Sequence, residues 1–184
     1  GSFCEELTEC RNQIWEALHA FSMKLICLSP AEFIHFGTTR ELRELVTVGV
    51  DDYEFLGWQK RVLTNMQDAD EYATNNAYIA SDAVIGQGSY IEDSYIGPNT
   101  VVGAGTIISN AGIENVTLPE NMVFHTLALS DGTFVTRVYG AEDNPKGTYE
   151  KNSLWMGIPI QNILAAYDIA GANMEWTGAL FVVC

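Results

Sequence analysis

The amino-acid sequence predicts a mainly β protein: a parallel β-helix of hexapeptide repeats, about three coils long, with an N-terminal α/β segment and a C-terminal hairpin and helix. Three observations carry this. Residues 78–94, 95–111 and 112–128 repeat one another, so that Ile79, Ile96 and Ile113 stand 17 apart. Within the copies an aliphatic residue recurs about every sixth position and is followed four places later by a small one: Ile79 with Ala83, Ile85 with Ser89, Ile96 with Thr100, Val102 with Thr106, Ile108 with Gly112. Glycines keep the same period, in Gly86-Gln87-Gly88 and Gly103-Ala104-Gly105, where the chain must turn a corner.

The chain divides into an α/β segment at 1–50, a connector at 51–76, the β-helix at 77–128 and a hairpin with a C-terminal segment at 129–184. Leu7, Cys10, Ile14, Ala17, Leu18 and Phe21 recur at helical spacing and predict a helix over 3–22. Lys24–Leu28, closed by Ser29-Pro30, and Phe33–Phe36 read as two short strands. A second helix follows Gly37, with Thr38 or Thr39 as its N-cap. The acidic connector is expected to hold a helix anchored by Phe55, Leu56, Trp58, Val62 and Leu63. After the coils, Ser130-Asp131-Gly132 between strand-prone runs predicts a hairpin over 127–139. Asp143–Gly147 reads as a loop, 160–169 as a short helix, and Trp176–Val183 as a final strand.

Side chains alternate faces along a strand. With Ile79, Ile85, Ile91, Ile96, Val102 and Ile108 inside, the outward columns are Val84, Val101 and Leu118; Tyr90, Ile107 and Phe124; and Tyr78 and Tyr95. Such columns are more apolar than a soluble surface normally leaves open. They are expected to be covered by flanking segments, by self-association into a homo-oligomer, or by a further domain.

With 9 basic and 24 acidic residues the formal net charge is −15, which repels phosphate backbones and anionic lipid, so neither nucleic acid nor membrane is an expected partner. No apolar run reaches the roughly 18 residues of a membrane span, and Glu5, Glu6 and Glu9 occupy the place where a signal peptide carries positive charge. The expected location is the cytoplasm. Cys4, Cys10, Cys27 and Cys184 show no metal-ligand spacing and are expected as free thiols. Gly1-Ser2 reads as a cloning remnant, so the chain is expected to be an excised piece of a longer protein.

Three forms of chemistry could use this scaffold. An acyltransferase needs a histidine base in a coil groove; His125, which the repeat aligns with Ile91 and Ile108, is the candidate, and capping the coil is its competing role. A carbonic-anhydrase-like zinc site needs three convergent histidines, and His19, His35 and His125 lack the spacing. The coil-corner glycines are turn residues, and neither a P-loop nor a nucleophile elbow is present. No complete catalytic constellation exists in the chain alone.

At residues 23–42, MKLICLSPAEFIHFGTTREL, the sequence resembles the bacterial fucose-1-phosphate guanylyltransferases (GDP-L-fucose pyrophosphorylases), often fused to L-fucokinase. The resemblance continues through YEFLGW at 53–58, YIEDSYIG at 90–97, HTLALSDGTFVTRVYG at 125–140 and DNPKG at 143–147, with a weaker match at WTGALF, 176–181. It implies a left-handed β-helix preceded by the end of a nucleotidyltransferase-like α/β domain at 1–50. It implies too an enzyme that joins GTP and fucose 1-phosphate with Mg²⁺. The glycine-rich nucleotide loop is not among these residues, so the chain implies scaffold plus one wall of the sugar site, inactive when isolated and without its own cofactor, metal ligand or catalytic residue. Phe33–Thr38 is similar to the aromatic-x-Asp-x-Gly-Thr strand of nucleotide-sugar pyrophosphorylases, with His35 in the Asp place. On that likeness His35, Thr38, Thr39 and Arg40 are the substrate-binding candidates, the helix start offering amides and a guanidinium to a sugar phosphate. A β-helical assembly module without catalytic role is the alternative.

Overall fold

The computed structural model describes residues 4–29, 31–66, 71–143 and 153–168. The chain falls into two units, Gly1–His35 and Phe36–Cys184. In the first, α1 spans Glu5–Leu18. His19 closes it: the ring donates from Nδ1 to the carbonyls of Trp15 and Glu16 at 3.0 Å and stacks on the Trp15 indole. The strands expected at 24–28 and 33–36 are not formed. Their apolar residues suit a strand, but a strand exists only where another satisfies its backbone groups, and no described residues pair with these two runs.

The second unit begins with α2, Thr39–Thr47, and a 3₁₀ helix, Gly49–Leu56. The strands are β1 Arg61–Thr64, β2 Ala73–Ile79, β3 Val84–Ile85, β4 Tyr90–Glu92, β5 Tyr95–Ile96, β6 Val101–Val102, β7 Ile107–Ser109, β8 Gly112–Ile113, β9 Thr117–Leu118, β10 Met122–Ala128, β11 Phe134–Gly140, β12 Leu154–Trp155 and β13 Ile158–Pro159. A last helix, α3, spans Ile160–Ala166. Phe55, Leu56, Trp58, Val62 and Leu63, expected as anchors of the connector, are all exposed. The strand expected at 176–183, Cys184 and the loop beyond Asp143 lie outside the described residues.

Parallel pairing winds the chain into a β-solenoid of about four turns. One face runs β1-β2-β4-β7-β10, the second β2-β5-β8 and the third β3-β6-β9. Ile79, Ile91, Ile96, Val102 and Ile108 are each at most 1 % exposed and stack as the core. Ser89, Thr100 and Thr106, four places on, fill inner corners, whereas Gly112, four after Ile108, is exposed and pairs with outward Tyr95. Ser89 Oγ donates to the Gly103 carbonyl at 3.2 Å and Thr106 Oγ1 to the Pro119 carbonyl at 3.0 Å, so their hydroxyls satisfy turn backbone that side chains of larger size would push apart.

Corner geometry explains the paired glycines. A Cβ on Gly86 would stand 2.4 Å from the Ala104 nitrogen, and one on Gly103 2.5 Å from that of Glu120, so the first glycine of each pair lets coils approach. The second, Gly88 or Gly105, is left-handed at φ +69° and +65°. The other corners use asparagine and aspartate at positive φ: Asn76, Asp93 and Asn110 on one edge, Asn99 and Asn115 on another.

The third coil departs from the repeat. Ile113 pairs with Ile96, yet Leu118 pairs with Val102, so one residue is missing from the corner between them. The slip corrects three expectations. Leu118 belongs to the inner column and is 9 % exposed, whereas Thr117 follows Val84 and Val101 outside. Val123, not Phe124, continues Tyr90 and Ile107. His125 aligns with Ser109 and Glu92 rather than with the core isoleucines.

Two of the outward columns remain open and one does not. Ile107 and Val123 are buried beneath Ala141, with Tyr90 and Tyr139 packed alongside, so a flanking segment covers this column. Burial and the Glu92 carboxylate, which accepts from the Tyr90 hydroxyl at 3.1 Å, push that phenol up to about 12. Val84 and Val101, and Tyr78 and Tyr95, stay exposed.

β10 serves twice, pairing parallel with β7 and antiparallel with β11. The predicted hairpin is present but begins at Met122, earlier than strand propensity alone suggested. Gly132 at φ +85° makes its turn, and Asp131 accepts from the Thr133 amide and hydroxyl, which holds its carboxyl below the usual range. At the opposite end Asn65 imitates a strand: its amide donates to the Ile79 carbonyl at 2.8 Å and accepts from the Ile79 nitrogen at 2.9 Å.

Candidate functional site

Of the two caps the sequence allows, Thr38 and not Thr39 is the N-cap of α2. Its Oγ1 accepts from the Glu41 amide at 3.2 Å while Glu41 Oε2 accepts from the Thr38 and Gly37 amides at 3.0 and 2.7 Å. This capping box contributes about 1 kcal/mol. It places a carboxylate on the two amides that an incoming anion would otherwise use. Thr39 is the first helical residue and is half-buried; Arg40 is exposed. Arg40 lies 3.8 Å from Glu44 and 3.9 Å from Glu142, distances of charge attraction without a hydrogen bond. His35 belongs to the first unit, where it is exposed and its ring stacks on Phe33 at 6.3 Å. Thr38, Thr39 and Arg40 are therefore gathered on one helix end, and His35 stands in the other unit.

The residue that fixes this helix end is Arg43, which sequence reasoning missed. Its side chain is only 15 % exposed. Nη1 donates to the Gly105 carbonyl at 3.1 Å and to Asn121 Oδ1 at 3.0 Å, and Nη2 donates to Glu142 Oε1 at 3.2 Å. Two left-handed corner residues of successive coils, Gly105 and Asn121, thus turn their oxygens toward one guanidinium. No local sequence signal marks Arg43; its closeness to the corner, where a Cβ at Gly105 would stand 2.8 Å from Nη1, arises only in the packed coils. Glu142 gathers both arginines. Its neighbour Asp143 accepts from the amides of Gly140, Met156 and Gly157 at 2.7–3.1 Å, pinning the β12–β13 turn to the end of β11.

His125 is not placed as a groove base. Arg137 Nη2 donates to its Nδ1 at 2.7 Å across the β10–β11 pair, so that nitrogen is unprotonated and occupied. Cys4, Cys10 and Cys27 are free thiols. Among the described residues no three His, Cys, Asp or Glu side chains converge to hold a metal. Among them, too, no helix is long and apolar enough to cross a membrane.

A family model described as the fucose pyrophosphorylase domain matches residues 2–180. The chain belongs to the fucose pyrophosphorylase family. The match spans both units, including the α2 start and the whole solenoid, and so supports nucleotidyltransferase chemistry leading to GDP-fucose at the level of the family. Comparison with curated proteins and with solved structures gave no match.

Proposed function

We propose that this chain is the β-helical scaffold, together with the closing segment of the catalytic domain, of a guanylyltransferase that makes GDP-L-fucose from GTP and fucose 1-phosphate in the cytoplasm. A phosphate oxygen of the sugar phosphate attacks the α-phosphorus of GTP as the bond to pyrophosphate breaks. The family match over residues 2–180 carries this reading. The sequence supplies no glycine-rich, Arg- and Lys-bearing nucleotide loop, so that loop and the Mg²⁺ site are assigned to a preceding domain. This chain contributes one wall of the sugar site. Arg40 suits that role because its present carboxylate contacts are long and exposed, and a phosphate oxygen can displace them. Thr39 is the companion candidate on the same helix end, whereas Thr38 is already engaged in the cap and His35 belongs to the other unit.

The test is to incubate the isolated chain with GTP, Mg²⁺ and fucose 1-phosphate and measure pyrophosphate. No release above background is expected. Sustained, protein-dependent release would overturn the assignment of the nucleotide loop to another domain.

A second reading, the β-helix as an assembly module without a catalytic role, rests on a different observation. Val84 and Val101 stand in one outward column and remain 58 % and 39 % exposed. A second copy of the chain pairing there would bury them. Val101→Glu tests it by sedimentation: a smaller species than wild type supports the reading, and unchanged sedimentation refutes it. Ile107→Glu is unsuitable, because Ile107 is covered by the chain's own Ala141.

A further inference from the structure

The Tyr78 and Tyr95 rings lie one above the other on successive coils, centroids 5.4 Å apart and planes within 6°. Their column continues to Gly112, which pairs with Tyr95. A Cβ built on Gly112 meets nothing within 4 Å, and the residue is exposed without a positive φ. The aromatic stack therefore has no side chain at its next position, and Tyr95 is half exposed. Tyr78, Tyr95 and Gly112 line an open groove of about 640 Å³.

The polar rim of the groove is acceptor-rich. Asp93 takes one hydrogen bond, from Asn76 Nδ2 at 2.6 Å, which leaves carboxylate lone pairs toward the groove. Asn110 donates one of its two amide hydrogens to the Thr126 carbonyl at 3.1 Å, which leaves its other hydrogen and its oxygen. Beyond the ring edge stands Glu114: its Oε2 and Tyr95 Cε1 lie 3.1 and 3.0 Å from the same point, where a Cβ on Gly97 would sit.

A ligand for this place needs a flat C–H face for the tyrosine and several hydroxyl donors for the rim. It must also carry no negative charge, because two carboxylates and a net charge of −15 repel anions. We infer that the groove at Tyr95 and Gly112 is a binding site for a neutral pyranose ring, stacked on Tyr95 in the space a side chain at residue 112 would fill. A nucleobase is the competing flat ligand, and guanosine is the probe that distinguishes it. This inference is independent of the nucleotidyltransferase reading and concerns an uncharged sugar rather than a sugar phosphate.

The test uses the full chain and two neutral probes with a continuous C–H face, methyl α-L-fucopyranoside and methyl β-D-galactopyranoside, followed by saturation-transfer NMR and titration at millimolar concentration. At least one pyranoside should receive saturation at its ring C–H protons. Tyr95→Leu should weaken binding about tenfold, the loss expected when one stacking contact goes. Gly112→Tyr should extend the aromatic column, keep or raise the melting temperature, and abolish binding by occupying the space; Tyr95→Leu decides the matter if that variant does not fold. Fucose 1-phosphate and guanosine should bind more weakly than the neutral sugars. Absence of binding by both pyranosides, binding untouched by either substitution, or preference for the phosphate or the nucleoside would overturn the assignment. None of these readouts involves GTP or pyrophosphate, so this test and that of the guanylyltransferase reading fail separately.

Discussion

Replacing Arg43 with alanine should cost the second unit about 2–3 kcal/mol. The side chain is 15 % exposed and serves three acceptors at 3.0–3.2 Å. A hydrogen bond to a charged group contributes roughly 1.5–3 kcal/mol when its partner is then left dry. Here the three share one guanidinium, and Glu142 is 35 % exposed and regains water, so the contributions do not simply add. The loss corresponds to roughly 5–10 °C in melting temperature for a chain of this size. The assay is a urea titration followed by circular dichroism. Arg40→Ala is the control, because its 56 % exposed side chain makes only long ion pairs and should matter by less than about 0.5 kcal/mol. Arg43→Lys should recover part of the loss, since an ammonium reaches fewer of the three acceptors than a planar fork. If Arg43→Ala and Arg40→Ala lose equally little, the view that Arg43 locks α2 to the coil corners is wrong.

Two further predictions rest on single atoms. Gly105→Ala and Gly88→Ala both place a side chain at positive φ, but only at Gly105 does the new Cβ strike Arg43 and Asn121; we expect about 1 kcal/mol of destabilisation at Gly88 and about 3 at Gly105, and equal losses in the same titration would contradict the steric account. Tyr90 keeps its proton in the folded state at pH values where the unfolded chain has lost it. Its contribution to stability is therefore complete below pH 10.0 and lost as pH rises through about 12. Tyr90→Phe should flatten that alkaline limb in pH-dependent unfolding, and an unchanged slope would show that the phenol is not the group responsible.

Much of the site's framework was legible in local pattern. Thr38 could be read as a cap because Gly-Thr-Thr precedes a helical stretch, and the corner glycines because they keep step with the aliphatic residues. Arg43 could not, because its acceptors are a backbone carbonyl and an asparagine that lie 62 and 78 residues away along the chain. The separation of His35 from Thr38, Thr39 and Arg40 into different units was likewise invisible in a contiguous motif. Lys24–Leu28 and Phe33–Phe36 have strand composition, but composition does not supply the neighbouring strand that their backbone needs.

What the sequence alone determined is the solenoid: a 17-residue period names the inward isoleucines and the corners, because the same steric demand recurs at every coil. The tertiary structure decided everything that depends on partners from distant chain. It moved Leu118 inward and Val123 outward, since one residue lost from a corner shifts every later rung by one and reverses which face each side chain takes. It covered Ile107 with Ala141 and left Tyr95 half exposed, paired with a glycine at residue 112. Periodicity specifies the direction of a side chain; only the packed coils specify what, if anything, it meets there.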